Sequence, residues 1–435
     1  NLQSMYDSIS SVYIGDVFRD SAYFNWNDIE LRYINFYRTD DPLFVETGFY
    51  LKNDTYYLFS GSGNFNSNAI PVSFATKLLT KKFIDETDKS NAYQNLIETN
   101  EALTGYQFEF NYKMPYKPNQ IINSISVRQR QTIDLEFPRD AFILAFSGNA
   151  VYHGATANLS SIKYTDYRFR EFDFSGDAGK SFQHFNFNVH YNLGLIDGQR
   201  GEELNVTNAS LFTEENGEYL EVAANGKFLQ SDTRKQKFFF SDGVGAKTDL
   251  NVSLSPNTKH AMAFNFIVND LGVIRWNSYS KSTIVDTSFH FTGIDVSNLL
   301  TTGNHFAFNA DTIRNYLGEE ISNGDFVSNL PTHITFDFVT RVAGIWETVI
   351  GYSFIPNRNN FNYSFVRNDF YFSQFVLNSM FQYGKSFGFN FGLGGSYSLH
   401  DQIVFSLGSD NVLALISPSD FTSNYLTARV AFSIN

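Results

Sequence analysis

Along most of the chain, apolar and polar side chains alternate with a period of two. In KSFGFNFGLGGSYSLH, residues 385–400, Phe387, Phe389, Phe391, Leu393, Tyr397 and Leu399 share one parity. Ser386, Asn390, Ser396 and Ser398 share the other, with glycines between them. Successive side chains of a strand point to opposite faces, so this segment reads as a strand with one aromatic face and one small, polar face. The same alternation runs through YQFEFNYKM (106–114), ISVRQRQTIDLEF (125–137) and HFNFNVHYNLGL (184–195). It returns around Ile334, Trp346 and Phe375 and ends in YLTARVAFSIN.

The length of these runs separates two architectures. Strands of soluble sandwiches average about 5–6 residues, whereas a tilted strand crossing an outer membrane takes about 9–11. The runs here reach or exceed the longer figure, which predicts an all-β, antiparallel transmembrane β-barrel with Phe387, Phe389 and Phe391 facing lipid. A large soluble all-β protein with one buried face per strand is the competing reading. At roughly 30 residues per strand and loop, the chain holds about 14 strands, within about 12 to 16, in a single domain over residues 1–435. Asn216-Gly217 and the stretch Leu399 to Gln402 are hairpin signals. The longer stretches 199–235 and 286–331 are expected to project beyond the membrane.

One region departs from the period of two. Between Ile70 and Thr104, Phe74, Leu78, Leu79 and Phe83 recur at helical spacing, followed by Tyr93, Leu96 and Ile97. Two short amphipathic helices are predicted at about 70–104, serving as a plug or lid of the barrel mouth or as a surface loop packed on itself.

Composition narrows the picture further. The chain is 43% hydrophobic and 17% aromatic, with 47 Phe and 25 Tyr. No run approaches the roughly 20 apolar residues of a membrane-spanning helix; AFILAF at 141–146 is among the longest. The opening NLQSMYDSIS has neither a basic start nor an apolar stretch, so a targeting segment is expected to have been removed already. Cysteine is absent, so no disulfide staples the fold. A net charge of -13 argues against nucleic acid as the main partner.

Polar positions on the strands carry charges of both signs. Arg128 and Arg130 share a face with Asp134 and Glu136, and Arg168 and Arg170 lie near Glu171 and Asp173. Selective pores segregate charge into rings of one sign, so this mixture predicts a lumen crossed by ion pairs. An alternative places some of these charges in loops, where pairing contributes little.

NDLGVIRWNS (269–278), FTGIDVSNLL (291–300) and SLGSDNVLALISPSDF (406–421) carry a resemblance. With Asp270, Leu271, Gly272, Ile274, Arg275 and Trp276 in the first and Asp410, Asn411, Val412 and Leu413 in the last, the chain resembles a Bacteroidota outer-membrane β-barrel family catalogued as a domain of unknown function. The resemblance covers residues 160–435 better than the first third. It implies an exported barrel broadly similar to long-chain fatty-acid transporters and brings no established activity. Read directly, Asp270, Arg275 and Trp276 suit a membrane interface: the Trp ring is buried while its N–H stays wet, and Arg275 meets a lipid phosphate or a loop carboxylate. A hairpin-stabilising cluster is the plainer reading.

Candidate chemistry is sparse. His184 and His190 share a face, but six residues of strand separate them by about 20 Å, too far to hold one ion. Ser288 and His290 share a face in DTSFHF, a spacing seen in outer-membrane phospholipases, yet strand geometry carries Asp286 away from His290. No phosphate loop, metal cluster or nucleophile elbow occurs, so no catalytic, metal or cofactor site is expected. Three Asp-Ser/Thr-aliphatic triplets, beginning at Asp7, Asp20 and Asp311, resemble the O-glycosylation signal of Bacteroidota exported proteins, at a frequency chance would supply.

The expected function is therefore non-enzymatic: an integral barrel of the bacterial outer membrane with an occluded lumen, acting as a subunit or scaffold of an envelope complex for secretion, barrel assembly or nutrient uptake. The alternative is a channel for small or hydrophobic solutes. Outer-membrane lipid and lipopolysaccharide are the expected partners, joined in the first reading by other outer-membrane or periplasmic proteins.

Overall fold

The computed structural model describes residues 55–114, 121–232, 239–240, 242–256, 261–291, 320–342, 346–356, 358–372, 374–399 and 402–433. Among them the strands, in chain order, are β1 (Tyr56–Ser67), β2 (Thr99–Lys113), β3 (Ser124–Pro138), β4 (Ala155–Asn158), β5 (Ile162–Ser181), β6 (Phe185–Thr213) and β7 (Leu220–Gln230). Next come β8 (Gly243–Pro256), β9 (Ala261–Trp276), β10 (Lys281–Phe291), β11 (Glu320–Asn323), β12 (Phe326–Asn329) and β13 (His333–Val342). The remainder are β14 (Trp346–Phe354), β15 (Tyr363–Tyr371), β16 (Phe375–Gly384), β17 (Gly388–Leu399), β18 (Ile403–Ser409) and β19 (Ser423–Ser433).

A closed barrel of 14 antiparallel strands results: β1, β2, β3, β5, β6, β8, β9 and then β13 through β19, with β19 pairing back onto β1. Closure satisfies every strand edge, the condition for sheet structure in hydrocarbon. The alternation read from the sequence is realised as an inversion of a soluble protein. Phe59, Phe264, Ile350, Phe381 and Phe389 are exposed, while Asn378, Gln382, Asn390, Ser396 and Ser398 are buried. An apolar exterior around a polar interior on a closed antiparallel barrel is the outer-membrane arrangement.

The two ends differ. Where β1 starts and β19 finishes, connections such as 182–184 and 372–374 are short. At the opposite end, here the loop end, most are longer, the tight β16–β17 turn at 385–387 excepted. β6 spans 29 residues: its first half pairs with β8, and Glu202–Thr213 pairs with β7, which in turn pairs with β10. One wall thus continues past the barrel as a separate sheet, as expected for 199–235. The Asn216-Gly217 turn joins β6 to β7, with Gly217 at φ 74°. Of 286–331, residues 292–319 lie outside the described residues, as do His400, Asp401 and the three Asp-Ser/Thr triplets.

The insertion after β1 contains the two expected helices, α1 (Val72–Leu79) and α2 (Glu86–Asn95), and ends where β2 begins at Thr99. Asp85 caps α2 reciprocally with Asp88, each side chain accepting the other's backbone N–H at 2.9 and 3.0 Å. A third helix, α3 (Arg139–Ser147), was not anticipated; its apolar run AFILAF packs Phe142 against Phe74, Ala92, Leu96 and Phe137. The three helices form a small core over the β1–β2–β3 rim. A short helix, α4 (Val412–Ile416), lies between β18 and β19, with its N-terminal amide of Ala414 donating to Asn411. No helix among the described residues is long and apolar enough to cross a membrane.

Candidate functional site

Inward positions of β3, β5, β8 and β9 place seven charged side chains together in the lumen. Arg128 meets Glu171 at 3.3 Å and Asp173 at 3.5 Å. Arg130 meets Glu171 at 2.9 Å and grips Asp270 with both terminal nitrogens, at 2.6 and 2.8 Å. Lys247, with no solvent exposure, lies 3.3 Å from Glu171, 3.0 Å from Asp249 and 3.3 Å from Asp270. Two local devices make room. Gly194 leaves space that a Cβ would take from Asp173 and Lys247, at 2.4 and 2.9 Å. Asp270 adopts φ 55°, its N–H donating to Asp249 at 2.7 Å, which re-aims its carboxylate into the lumen.

Arg130 on β3 and Asp270 on β9 are four strand spacings apart around the wall, roughly 19 Å at ~4.8 Å per spacing. Their direct contact therefore requires the wall to curve sharply inward between them.

The arginines thus pair with Glu171, Asp173 and Asp270 rather than with Asp134 and Glu136. Those two carboxylates instead receive Arg358 from the loop after β14, at 2.6 and 3.0 Å, and Glu136 also takes Lys163. A second cluster lines β13 to β16: Arg341 pairs with Glu347, Arg367 lies 3.8 Å from Glu347 and 3.1 Å from Asp369, and Asn378 donates to Asp369 at 2.7 Å. Glu171 and Asp173 stand among the mixed charges of the sequence, but Lys247 and Asp249 were missed. Their signal was available in KTDLNVSLS, where Lys247, Asp249, Asn251, Ser253 and Ser255 hold one parity.

Trp276 does not sit at a lipid interface. Its ring is fully buried inside the barrel with Tyr167, Phe169, Ile196, Ile274 and Leu330 and stacks on Phe326. Its N–H is dry: it donates to Ser328 at 2.8 Å, and Ser328 donates to Glu203 at 2.5 Å. Gly198, Gly201 and Gly243 form the ring's bed, since a Cβ at Gly201 would lie 2.4 Å from it. Arg275, on the opposite parity, is exposed and reaches Asp325 at 2.7 Å, a loop carboxylate. Strict alternation beyond the positive φ at Asp270 therefore sends Asp270 and Trp276 inward, to the charge cluster and to the apolar cluster, and Arg275 outward.

Phe389 and Phe391 stand on the outward parity of β17, paired with Tyr383 and Phe381 of β16. Phe387 does not join them. It occupies the hairpin turn before β17, where Gly388 at φ 67° reverses the chain, and its ring packs over Gly384 and Tyr363. There it lines an internal chamber of about 170 Å³ toward the loop end, with Asn64, Arg130, Asp270, Gln382 and Tyr425.

On the wall itself, β1 to β3, β5 and β16 to β19 line a mainly apolar groove of about 1010 Å³ that also meets Gln129 and Arg170. Outward Phe59, Phe108, Phe375 and Tyr397 border it, and its lining includes Gly61, Gly395 and Ala428 together with inward-parity Glu109 and Arg429. Gly61 lies opposite Ala428, two positions with little or no side chain between the outward Phe108 and Leu407 of the flanking strands.

A family model described as a family of unknown function, DUF5723, matches residues 54–410. The chain belongs to that family. No curated protein sequence matches it. Among solved structures, the DUF5723 barrel is similar to the Pseudomonas putida toluene transporter TodX, at 8% identity and TM-score 0.39 over 88% of this chain and 89% of that one. It is also similar to a Pseudomonas aeruginosa FadL homologue, at 7% identity and TM-score 0.37 over 88% and 90%, and to the translocator domain of the Neisseria meningitidis autotransporter NalP, at 4% identity and TM-score 0.24 over 87% and 88%. At such scores the barrel assignment rests on the strand pairing itself.

The remaining candidate groups of this DUF5723 chain are dispersed. Ser288 and His290 lie on β10, outside the barrel, where His290 stacks on Tyr219 and faces Glu221 at 3.6 Å. His190 meets Asp177 at 2.7 Å, while His184 occupies the turn before β6. No group of metal-ligating side chains occurs among the described residues.

Proposed function

We propose that this outer-membrane barrel is a non-enzymatic channel for small hydrophobic solutes, with the wall groove as the place where solute and protein meet. The observation that carries the reading is the groove: about 1010 Å³, bordered by aromatic rings, over the side-chain-poor Gly61 and Ala428 pair. An apolar concavity of this size with a few polar groups suits a small apolar ligand. The two lumen ion-pair clusters complement it by opposing a straight aqueous path for ions. The toluene transporter named above suggests toluene as a probe.

The test uses cells with and without the protein in the outer membrane. Uptake of radiolabelled toluene should rise with the protein and fall to background with Gly61→Trp, which fills the groove. Equal uptake in all three, with no binding of an apolar fluorophore to the purified barrel, overturns the reading.

The second reading, an occluded scaffold subunit of an envelope complex, draws on the sheet of β6, β7 and β10 beyond the barrel. Stoichiometric partners in mild-detergent purification, together with silent bilayers and no uptake, would favour it.

A further inference from the structure

We infer that the rim formed by α1, the turn after it and α4 lies within the outer leaflet, at the level of headgroups and upper acyl chains, and is covered there by phosphate-bearing lipid. α1 buries Val72, Phe74 and Ala75 in the helical core but turns Leu78 and Leu79 outward, and Phe83, just beyond it, is 85% exposed. α4 turns Leu415 outward and leaves Ile416 80% exposed. The two elements form one surface: the N–H groups of Val72 and Ser73 donate to the carbonyls of Phe421 and Pro418 at 2.8 and 2.9 Å, in the segment that follows α4.

This patch is continuous with the lipid-facing wall. α4 begins three residues after β18 ends, and the outward side chains below it, Leu407 and Leu426, are themselves exposed. Large apolar side chains gathered this way do not face water in a stable surface. A cover of lipid rather than protein is indicated by that continuity and by Lys81 and Lys82, both exposed beside Phe83. Lysine stems lie along apolar surface while the ammonium reaches an anion, the pattern of interfacial helices on phosphate-bearing membranes. Lys77 contributes no such free charge, being paired with Asp88 at 2.5 Å.

The chain has no cysteine, so single labels can be placed without background. Spin labels at Phe83→Cys and Ile416→Cys would be compared in proteoliposomes containing lipopolysaccharide with Ile350→Cys on the mid-wall and Glu218→Cys on the β6–β7 turn. Both rim labels are expected to be more accessible to oxygen than to a water-soluble nickel chelate, at depths between the two references. Rim labels as nickel-accessible as Glu218→Cys overturn the inference, and so do labels shielded from both quenchers, which would mean a protein cover. In vesicles of uncharged headgroups, or with Lys81→Glu and Lys82→Glu together, the labels should move toward water; no movement removes the phosphate from the proposal. These readouts do not depend on any solute passing the barrel.

Discussion

Arg130 and Asp270, 140 residues apart in the chain, clasp each other across the curved interior of the barrel through two parallel hydrogen bonds of 2.6 and 2.8 Å. The pair shares its charges with Lys247 and Glu171, so neither partner can be removed alone without stranding charge. Asp270→Ala should destabilise the folded barrel by about 3–5 kcal/mol, since a broken buried pair leaves uncompensated cations. Urea titration in vesicles measures this, and the double replacement Arg130→Ala with Asp270→Ala should cost less than the sum of the single changes. Strict additivity would show that the clasp carries no coupling.

Trp276 and Gly201 form a second interlocked pair, ring on backbone. Gly201→Ala would drive a Cβ to 2.4 Å from the indole, and the resulting overpacking should cost about 1–3 kcal/mol. Trp276→Ala should relieve that penalty in the double variant while leaving a cavity of its own. Thermal unfolding of the four proteins checks the cycle.

On the outer wall, Phe391→Arg should cost about 2–4 kcal/mol if the site lies near the bilayer midplane, and far less toward the headgroups. The same change at Phe387 meets the chamber near Asp270 and Asp410 instead of acyl chains. Its effect should therefore be insensitive to bilayer thickness, whereas that of Phe391→Arg should grow in thicker bilayers. Unfolding in vesicles of two acyl-chain lengths separates the two positions.

Acidification should act on the helical insertion. The Asp88 backbone N–H bonded to Asp85 holds the Asp85 carboxyl below its ordinary value. The cap's contribution is therefore full above the unfolded aspartate value, about 3.9, and is lost as pH falls through the lower folded value. Hydrogen exchange at the first turn of α2 should accelerate over that window, while Asp85→Asn, which can still cap, should remove the pH dependence.

Barrel, strand number and insertion were legible because each rests on local periodicity: Phe389 and Asn390 take opposite faces wherever β17 sits. Phe387 was misread because alternation holds only inside a strand, and the turn ending at Gly388 interrupts it. Trp276 was misread for a related reason. An interface tryptophan and a core tryptophan have the same local sequence, and only the distant glycines at 198, 201 and 243 reveal the difference. The partners of Arg130 were likewise set by curvature of the wall, which no spacing along the chain encodes. The apolar run at 141–146 became α3 because Phe142 found the helical core rather than a neighbouring strand.

Pairing of β1 with β19 sets Tyr56 opposite Ser433, so the circle is completed only when the first and last strands of the described chain meet. Until then both terminal strands carry bare hydrogen-bonding edges, the template for wrong partners. Contacts of such sequence separation form late and slowly. The unclosed sheet must therefore be kept from aggregating until its first and last strands find each other.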